Sequence, residues 1–396
     1  VLVVLDAARA ASFGCYGGSS SATPAVDNLA RESVLFEQAF TPAPYTRAAM
    51  TAVWTSRDPG ERGLRKAPRL AEILSAHDVT TAGFLANPNA GKNAGLARGF
   101  KRFEELDGMP PRSDELVPAF ERFVRESHGR FFAYVHVREP HFPYDPPASF
   151  KAPFGAPRLL PAEAFTDPDW IDSLNRRGGP TEAEASDLRR MYQANLAFAD
   201  SLVGRLRRVL ESSGAWKDTA FILTADHGEA LGEHGFVGHN LQVYAESAQV
   251  PLLVRVPGVP PTRRTPLASL IDLAPTIAGL LEAKDPKVRF RGQDLLATSG
   301  EEERRLLCVA SGNEPAVAWR DELHTLVVSG QKAELFDRAD DPGEARDRAS
   351  EEPGVIARML KELELARVDL AAVPVPDPER PTPEQKERLR ALGYAE

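Results

Sequence analysis

The chain has 396 residues, 42% of them hydrophobic, and a formal net charge of −9. That length holds one large α/β domain with a smaller appendage, or two ordinary domains. The acidic balance excludes a general nucleic-acid binder, which would be basic, but not a local positive pocket for an anionic substrate.

Cys15 and Cys308 match no zinc or redox spacing and read as two buried thiols. No apolar run reaches membrane-spanning length. The chain opens on Val1-Leu2-Val3-Val4-Leu5 with no initiator Met, so its natural N-terminus is expected upstream, and a leader or membrane anchor there stays open.

That opening run is the first predicted strand, and it ends in Asp6. An acidic residue at the carboxyl end of a strand in an open α/β sheet stands on the rim where such folds bind ligands. Asp there is also a common turn or cap residue. Thr23-Pro24 is an N-cap with a first-turn proline and opens a helix through about Glu32. Pro42 and Pro44 hold an extended entry into Tyr45-Thr46-Arg47-Ala48-Ala49-Met50, an Ala-rich helix start. Thr46 reads there as an N-cap, or as a residue among free amides that favour an anion.

A helix over Leu70 to Ser75 and a strand over Thr81 to Leu85 follow. The strand from Phe131 to Val137 runs towards His141, which stands in a turn stiffened by Pro140 and Pro143. His136, inside the strand pattern, reads as a satisfied core histidine. A long helix spans Glu182 to Leu210. The strand Ala220 to Leu223 then runs into Thr224-Ala225-Asp226-His227-Gly228-Glu229. Asp supplies a hard oxygen and His a borderline nitrogen, a combination suited to Zn, Mn or Ca-like ions. Gly228 lets the backbone approach a bound group closely. His234 and His239 follow in a Gly-rich loop, so three of the eight histidines fall within thirteen residues. A loop cannot bury all three as core packing, and a site is the better reading.

The strand Leu252 to Val256 and the helix Ile271 to Leu281 complete an alternation of short apolar strands with helices. This pattern predicts a mostly parallel central sheet with helices on both faces. From Arg305 to Phe336 short alternating segments predict a small antiparallel sheet, with a helix over Val355 to Val368. Residues 372–382 are proline-rich, and a short helix is expected over Glu384 to Leu392. The division expected is a catalytic α/β domain over 1–300, a small α+β subdomain over 301–371 and a tail over 372–396.

Together these residues resemble the sulfatase family of the alkaline-phosphatase-like superfamily. The resemblance is carried by Asp6 to Gly17, Thr23 to Phe40, His136 to Pro147, Asp226 to Gly258, Ser269 to Leu280, Gly292 to Leu296 and Glu334 to Glu344, in the family's order. It implies an alkaline-phosphatase-like three-layer α/β sandwich with a small C-terminal antiparallel sheet. It also implies a metal site at Asp6, Asp226 and His227, and a nucleophile after residue 38. Sulfatases proper place a Cys or Ser there, in a C/S-x-P-x-R motif, and oxidise it to formylglycine.

One alignment puts Ala43 at that point. Counting without gaps from Phe36-Glu37-Gln38-Ala39 and back from Thr55-Ser56 puts Thr46 there, and the two counts agree. Threonine cannot become formylglycine, so none is expected. In this frame Met50 replaces the motif's arginine, and Asn87-Pro88-Asn89 stands where sulfatases carry a lysine-and-histidine motif. Superfamily phosphodiesterases and phosphoethanolamine or phosphoglycerol transferases use threonine directly.

The expected site is therefore one divalent ion (Mn, Zn or Ca) on Asp6, Asp226, His227 and the Thr46 oxygen. His141 and His239 are the expected leaving-group acid and oxyanion contacts. His234, Asn87, Arg47 and Lys92 are the candidate substrate contacts, and residues 159–180 the specificity segment. The expected reaction is hydrolysis or transfer of a sulfuric or phosphoric ester of a small molecule, glycan or lipid headgroup, with a phosphoester favoured. The other readings are a sulfuric-ester hydrolase without formylglycine and a non-catalytic binding scaffold. Relatives often work outside the cytoplasm, in a periplasmic or other extracytoplasmic compartment.

Overall fold

The computed structural model describes residues 1–366 except 20, 62, 107–110, 298–302 and 311–314, with the backbone alone at 65. The proline-rich stretch 372–382 and the helix expected over Glu384 to Leu392 lie outside the described residues. So does the expected boundary at 300.

Eight strands form one sheet. From one edge to the other they are Thr262–Arg264, Val34–Phe36, Leu252–Arg255, Phe221–Ala225, Leu2–Asp6, Phe131–Pro140, Thr80–Leu85 and Arg102–Glu105. Leu2–Asp6 lies at the centre, parallel to both of its neighbours. Only Leu252–Arg255 runs antiparallel, against Phe221–Ala225 and Val34–Phe36. The two central strands Leu2–Asp6 and Phe221–Ala225 are buried at every position, the burial that their unbroken apolar runs foretold.

Val34–Phe36 lies in the Thr23 to Phe40 segment that resembles the family's helix and strand, whereas Arg102–Glu105 and Thr262–Arg264 were not singled out in the sequence. The last two are outer strands. With three or four residues and partial exposure, they carry no long apolar signal. The helix expected from Ile271 starts later, as Leu273–Leu280. Ser269 caps a 3₁₀ turn over Leu270–Asp272 first, with the Asp272 carboxylate accepting from the Ser269 amide at 2.8 Å.

Three features of this fold position the rim of the sheet. The 31-residue helix Glu182–Ser212 begins with a Thr181/Glu184 capping box and packs along the strand Phe131–Pro140. Its buried Asn195 donates to the carbonyls of Pro140, His141 and Pro143 at 3.1–3.3 Å, which fixes the turn after that strand. Residues Phe142, Tyr144, Leu160, Phe165 and Leu174 form a separate apolar cluster with Leu188, Met191 and Tyr192 of the same helix.

The C-terminal sheet, Leu306–Val309, Ala316–Arg320, His324–Ser329 and Lys332–Asp337, is antiparallel throughout. Period-two alternation splits its side chains between two clusters. Leu306 and Cys308 pack with Phe40, Val243 and Ala248 of the larger α/β portion, while Leu307 and Val309 pack with Met359 of the helix Pro353–Leu365. Trp54 anchors the main core beneath the site, edge-on to Tyr134 at 4.8 Å between ring centroids. Trp54→Ala is expected to cost about 3–5 kcal/mol, read as a lowered urea midpoint with an unchanged m-value.

Candidate active site

The site forms where strand ends converge. Asp6 closes the central strand, Asp226 and His227 directly follow the adjacent one, and His136 lies on the strand at the other side. In parallel register Val4 stands beside His136. Asp6 shares Val4's face two residues on, so the His136 ring points up that face to the Asp6 carboxylate. Its Nε2 lies 3.7 Å from Asp6 Oδ2 and 3.8 Å from Asp226 Oδ2. Beneath it the Tyr134 hydroxyl meets His136 Nδ1 at 2.5 Å.

His136 is thus buried as the core reading required, but its partners are the two site carboxylates. The period-two pattern hid this, because a strand histidine facing a site and one facing the core look the same in sequence. The usable signal was its place near the carboxyl end of a strand that runs into the His141 turn.

Directly after Asp6 the chain turns through Ala7 in the left-handed region, φ 58°, a strained conformation for a residue with a Cβ. The turn is over-determined. The Ala7 amide donates to Asp226 Oδ1 at 3.2 Å, and its carbonyl accepts from Tyr192 at 2.8 Å. The His227 amide donates to the same Asp226 oxygen at 3.0 Å. Oδ1 is therefore satisfied, and Oδ2 is the oxygen left for a ligand.

His227 Nδ1 lies 2.8 Å from the Gly228 carbonyl, an acceptor only, so Nδ1 carries the proton and Nε2 presents a lone pair. That lone pair faces Asp6 Oδ1 at 3.4 Å, Asp226 Oδ2 at 3.6 Å and Thr46 Oγ1 at 3.4 Å. Asp6 Oδ1, Asp226 Oδ2 and His136 Nε2 are buried with no hydrogen-bond partner among the described residues. Acceptors crowded this closely repel one another unless a cation lies between them. The spacing of 3.4–3.8 Å is about what ligands of one ion at ~2.0–2.4 Å would show. Asp6, His136 and Asp226 alone already offer atoms within 4.8 Å of one another. The donor set fits a divalent ion. Burial, and next the Asp226 charge, push the Asp6 carboxyl well above the usual carboxylate range. Burial pushes His136 down to about 4.

Thr46 is the first residue of the helix Thr46–Thr55, and Tyr45 occupies the N-cap position. The N-cap role that the sequence allowed thus falls to Tyr45, and the Thr46 hydroxyl meets His227 Nε2 and Asn87 Nδ2. Asn87 ties that hydroxyl to Asp6. Its Oδ1 accepts from the Asn89 amide at 2.7 Å, which fixes the amide's orientation. Nδ2 then donates to Thr46 Oγ1 at 3.2 Å and to Asp6 Oδ2.

His239 and His141 adjoin this cluster. The His239 ring lies 4.3 Å from that of His227 and 4.8 Å from that of His141 between centroids. His141 Nδ1 is bonded to the Phe142 carbonyl, and burial, followed by the neighbouring His239, pushes its pKa well down. His239 Nδ1 is bonded to the buried Glu229 carboxylate at 2.8 Å. Glu229, four residues into the Asp-His-Gly-Glu run, passed unremarked in the sequence reading.

The remaining residues predicted for the site stand differently. Arg47 is half-buried beside Thr46, and its carbonyl accepts from Thr51. Lys92 is exposed, its amide bound to the Glu105 carboxylate. His234 does not join the cluster. Its ring stacks on Tyr244 at 3.7 Å between centroids, its Nδ1 meets Glu246 at 2.9 Å, and its Nε2 meets the Glu344 carbonyl at 2.8 Å. Both of its nitrogens are used, and the Nε2 contact ties the loop to the Glu344 segment. Gly228 likewise serves the chain itself: a Cβ there would lie 2.1 Å from the Glu246 carbonyl oxygen. A recess of about 650 Å³ lies beyond the His141 turn, lined by Tyr144, Ala148, Phe165 and Met191 among others. It includes the first part of the 159–180 segment.

Hydrogen bonds to Glu246 and to the Glu344 carbonyl raise His234 to about 9 against the opposing effect of burial. Its contribution to stability is full below its unfolded value near 6.5 and is lost as pH rises through about 9. His234→Gln is therefore expected to destabilise the protein by about 1–2 kcal/mol at pH 6 and by progressively less towards pH 9.5, checked by thermal unfolding across that range.

The sulfatase family profile matches residues 1–283. The multifunctional alkaline phosphatase superfamily protein PehA of Trinickia caryophylli is 29% identical over 223 residues, covering 49% of this chain and 40% of PehA. The chain thus matches under half the length of this curated relative. The 2-O GAG sulfatase BT1596 shares the fold with a TM-score of 0.76 at 18% identity, covering 93% of this chain and 91% of that one. The phosphonate monoester hydrolase of Agrobacterium radiobacter does so with a TM-score of 0.73 at 21% identity, covering 94% and 95%. The profile match takes in the strand-end aspartates, the histidine turn and the Asp-His-Gly-Glu loop in one continuous span, and the chain belongs to the sulfatase family.

Proposed function

We propose that this chain is a metal-dependent ester hydrolase or transferase with Thr46 as its nucleophile and a phosphoester as its preferred substrate. The observation that carries the reading is the Thr46 hydroxyl at the head of a helix, 3.4 Å from His227 Nε2 and bonded by Asn87 Nδ2. Asp6, Asp226, His227 and Thr46, with His136 behind them, would hold one divalent ion. When bound, that ion supplies Lewis acidity, easing ionisation of the hydroxyl and neutralising substrate oxygens.

The residues of the chain then divide the work. Asn87 holds the Thr46 oxygen in place. That oxygen releases its proton to solvent water and bonds to phosphorus, or to sulfur, as the bond to the leaving oxygen breaks. A histidine of the His141–His239 pair delivers a proton to the departing oxygen. Water or an acceptor alcohol then displaces Thr46. The leaving group would come from a small molecule, glycan or lipid headgroup.

Threonine favours a phosphoester because it cannot be oxidised to the aldehyde that sulfatases proper use. The family name supports a second reading, a sulfuric-ester hydrolase working without formylglycine. Purified protein loaded in turn with Mn, Zn and Ca, and offered aryl phosphate monoesters, aryl phosphate diesters and aryl sulfates, separates the two. Faster turnover of a phosphoester is expected. Turnover of sulfates alone would establish the second reading, and no turnover of any ester would leave a binding scaffold.

A further inference from the structure

We propose that Tyr192 is a positioning residue for the cation site: its hydroxyl holds the left-handed turn at Ala7, and through that turn the Asp226 carboxylate. This rests on the reading of Asp6 and Asp226 as ligands of a divalent ion.

Ala7 links the helix to the site. It directly follows Asp6, is fully buried and sits at φ 58°. That conformation crowds a Cβ, so alanine keeps it only where its neighbours hold it there. φ sets the angle between the peptide planes on either side of Ala7. On one side the Ala7 amide donates to Asp226 Oδ1 at 3.2 Å. On the other the Ala7 carbonyl accepts from the Tyr192 hydroxyl at 2.8 Å. A turn relaxed to negative φ would swing one plane against the other and give up one of these bonds. The same hydroxyl accepts from the Arg9 amide at 3.1 Å, so it brackets residues 7–9 as donor and as acceptor.

Tyr192 is a rigid support. It is fully buried on the helix Glu182–Ser212, and its ring packs edge-on against Tyr144 at 5.8 Å between centroids. What it protects is the direction of Asp226. The amides of Ala7 and His227 both donate to Oδ1, which leaves Oδ2 facing His227 Nε2 at 3.6 Å and His136 Nε2 at 3.8 Å. With the His227 amide alone, the carboxylate can rotate about its own bond, and an incoming ion must first fix it. Groups that orient a ligand in this way set ion affinity together with the ligand itself.

Calorimetric titration of the metal-free full chain with Mn tests this. Tyr192→Phe keeps the ring and removes only the hydroxyl, and is expected to weaken Mn binding by about tenfold. Glycine adopts the left-handed conformation without the Cβ penalty. The same substitution in an Ala7→Gly background is therefore expected to cost less than about threefold. An equal loss in the two backgrounds, or no loss in either, would overturn the proposal. Leu188→Ala opens a cavity in the same apolar cluster. It is expected to lower the urea midpoint while keeping Mn affinity within about twofold. A loss there as large as that of Tyr192→Phe would reduce Tyr192 to packing and overturn the proposal. If Tyr192→Phe does not fold, the double variant decides. A folded one supports the clamp, because glycine removes the strain that the phenol held, and an unfolded one overturns it. A wild type that binds none of Mn, Zn and Ca would remove the cation reading and the proposal with it. Wild-type binding with an unchanged Tyr192→Phe would remove the proposal alone.

Discussion

Thr46→Ala is expected to lower kcat by on the order of 10⁴-fold or more while leaving a divalent ion bound. Thr46 contributes one oxygen to a donor set in which Asp6, Asp226 and His227 remain, and Ala keeps the helix start intact. Thr46→Ser keeps the hydroxyl and its Asn87 contact, and is expected to retain measurable turnover. The check is a pair of numbers for each variant: kcat, and metal affinity by calorimetry. Full activity in Thr46→Ala would remove threonine as nucleophile. Loss of both activity and metal would make Thr46 mainly a ligand.

The second large effect concerns the buried carboxylates. Without a cation, Asp6 and Asp226 are two acids with no exposed surface, and burial together with the Asp226 charge raises the Asp6 pKa well above its ordinary value. The folded apoprotein therefore holds a proton that the unfolded chain would release. Stability from this group is present at acid pH and is lost as pH rises from the unfolded value near 3.8 through the raised folded value. A bound ion reverses the balance by favouring both anions. Chelation should thus lower Tm at every pH above that range, and the gap between metal-loaded and metal-free Tm should widen from pH 5 to pH 8.

Asp226→Asn sharpens the same test. It is expected to weaken metal binding by at least about 100-fold. The amide oxygen can keep the bonds from the Ala7 and His227 amides, and one buried negative charge is gone. The metal-free variant should therefore be more stable than metal-free wild type at pH 8, by about 1–3 kcal/mol. A variant destabilised equally with and without metal would show that Asp226 acts in folding rather than at a cation site.

Much of this arrangement was legible in the chain itself. Asp6 and Asp226-His227 could be read because each sits where an apolar run stops, and strand ends in such sheets are where ligands bind. Thr46 needed the motif frame as well, since a helix-start threonine is usually a cap. What could not be read depends on contacts distant in sequence. His136 looked like core because its role comes from register with the first strand. Glu229 looked like one more acidic loop residue, and only the return of the loop ten residues later sets His239 against it. His234 misled for the converse reason. It shares a Gly-rich loop with His227 and His239, yet the loop turns it outward onto Tyr244, Glu246 and the Glu344 carbonyl. Loop proximity in sequence gave no direction, whereas the strand ends did.

The central claim is a covalent bond to Thr46, and rapid acid quenching during turnover tests it most directly. Metal-loaded protein mixed with a fast aryl ester and quenched within one turnover should yield, by peptide mass spectrometry, one phosphoryl or sulfuryl group on Thr46. A burst of product with that group on any other residue, or steady turnover with no residue modified, would contradict the account.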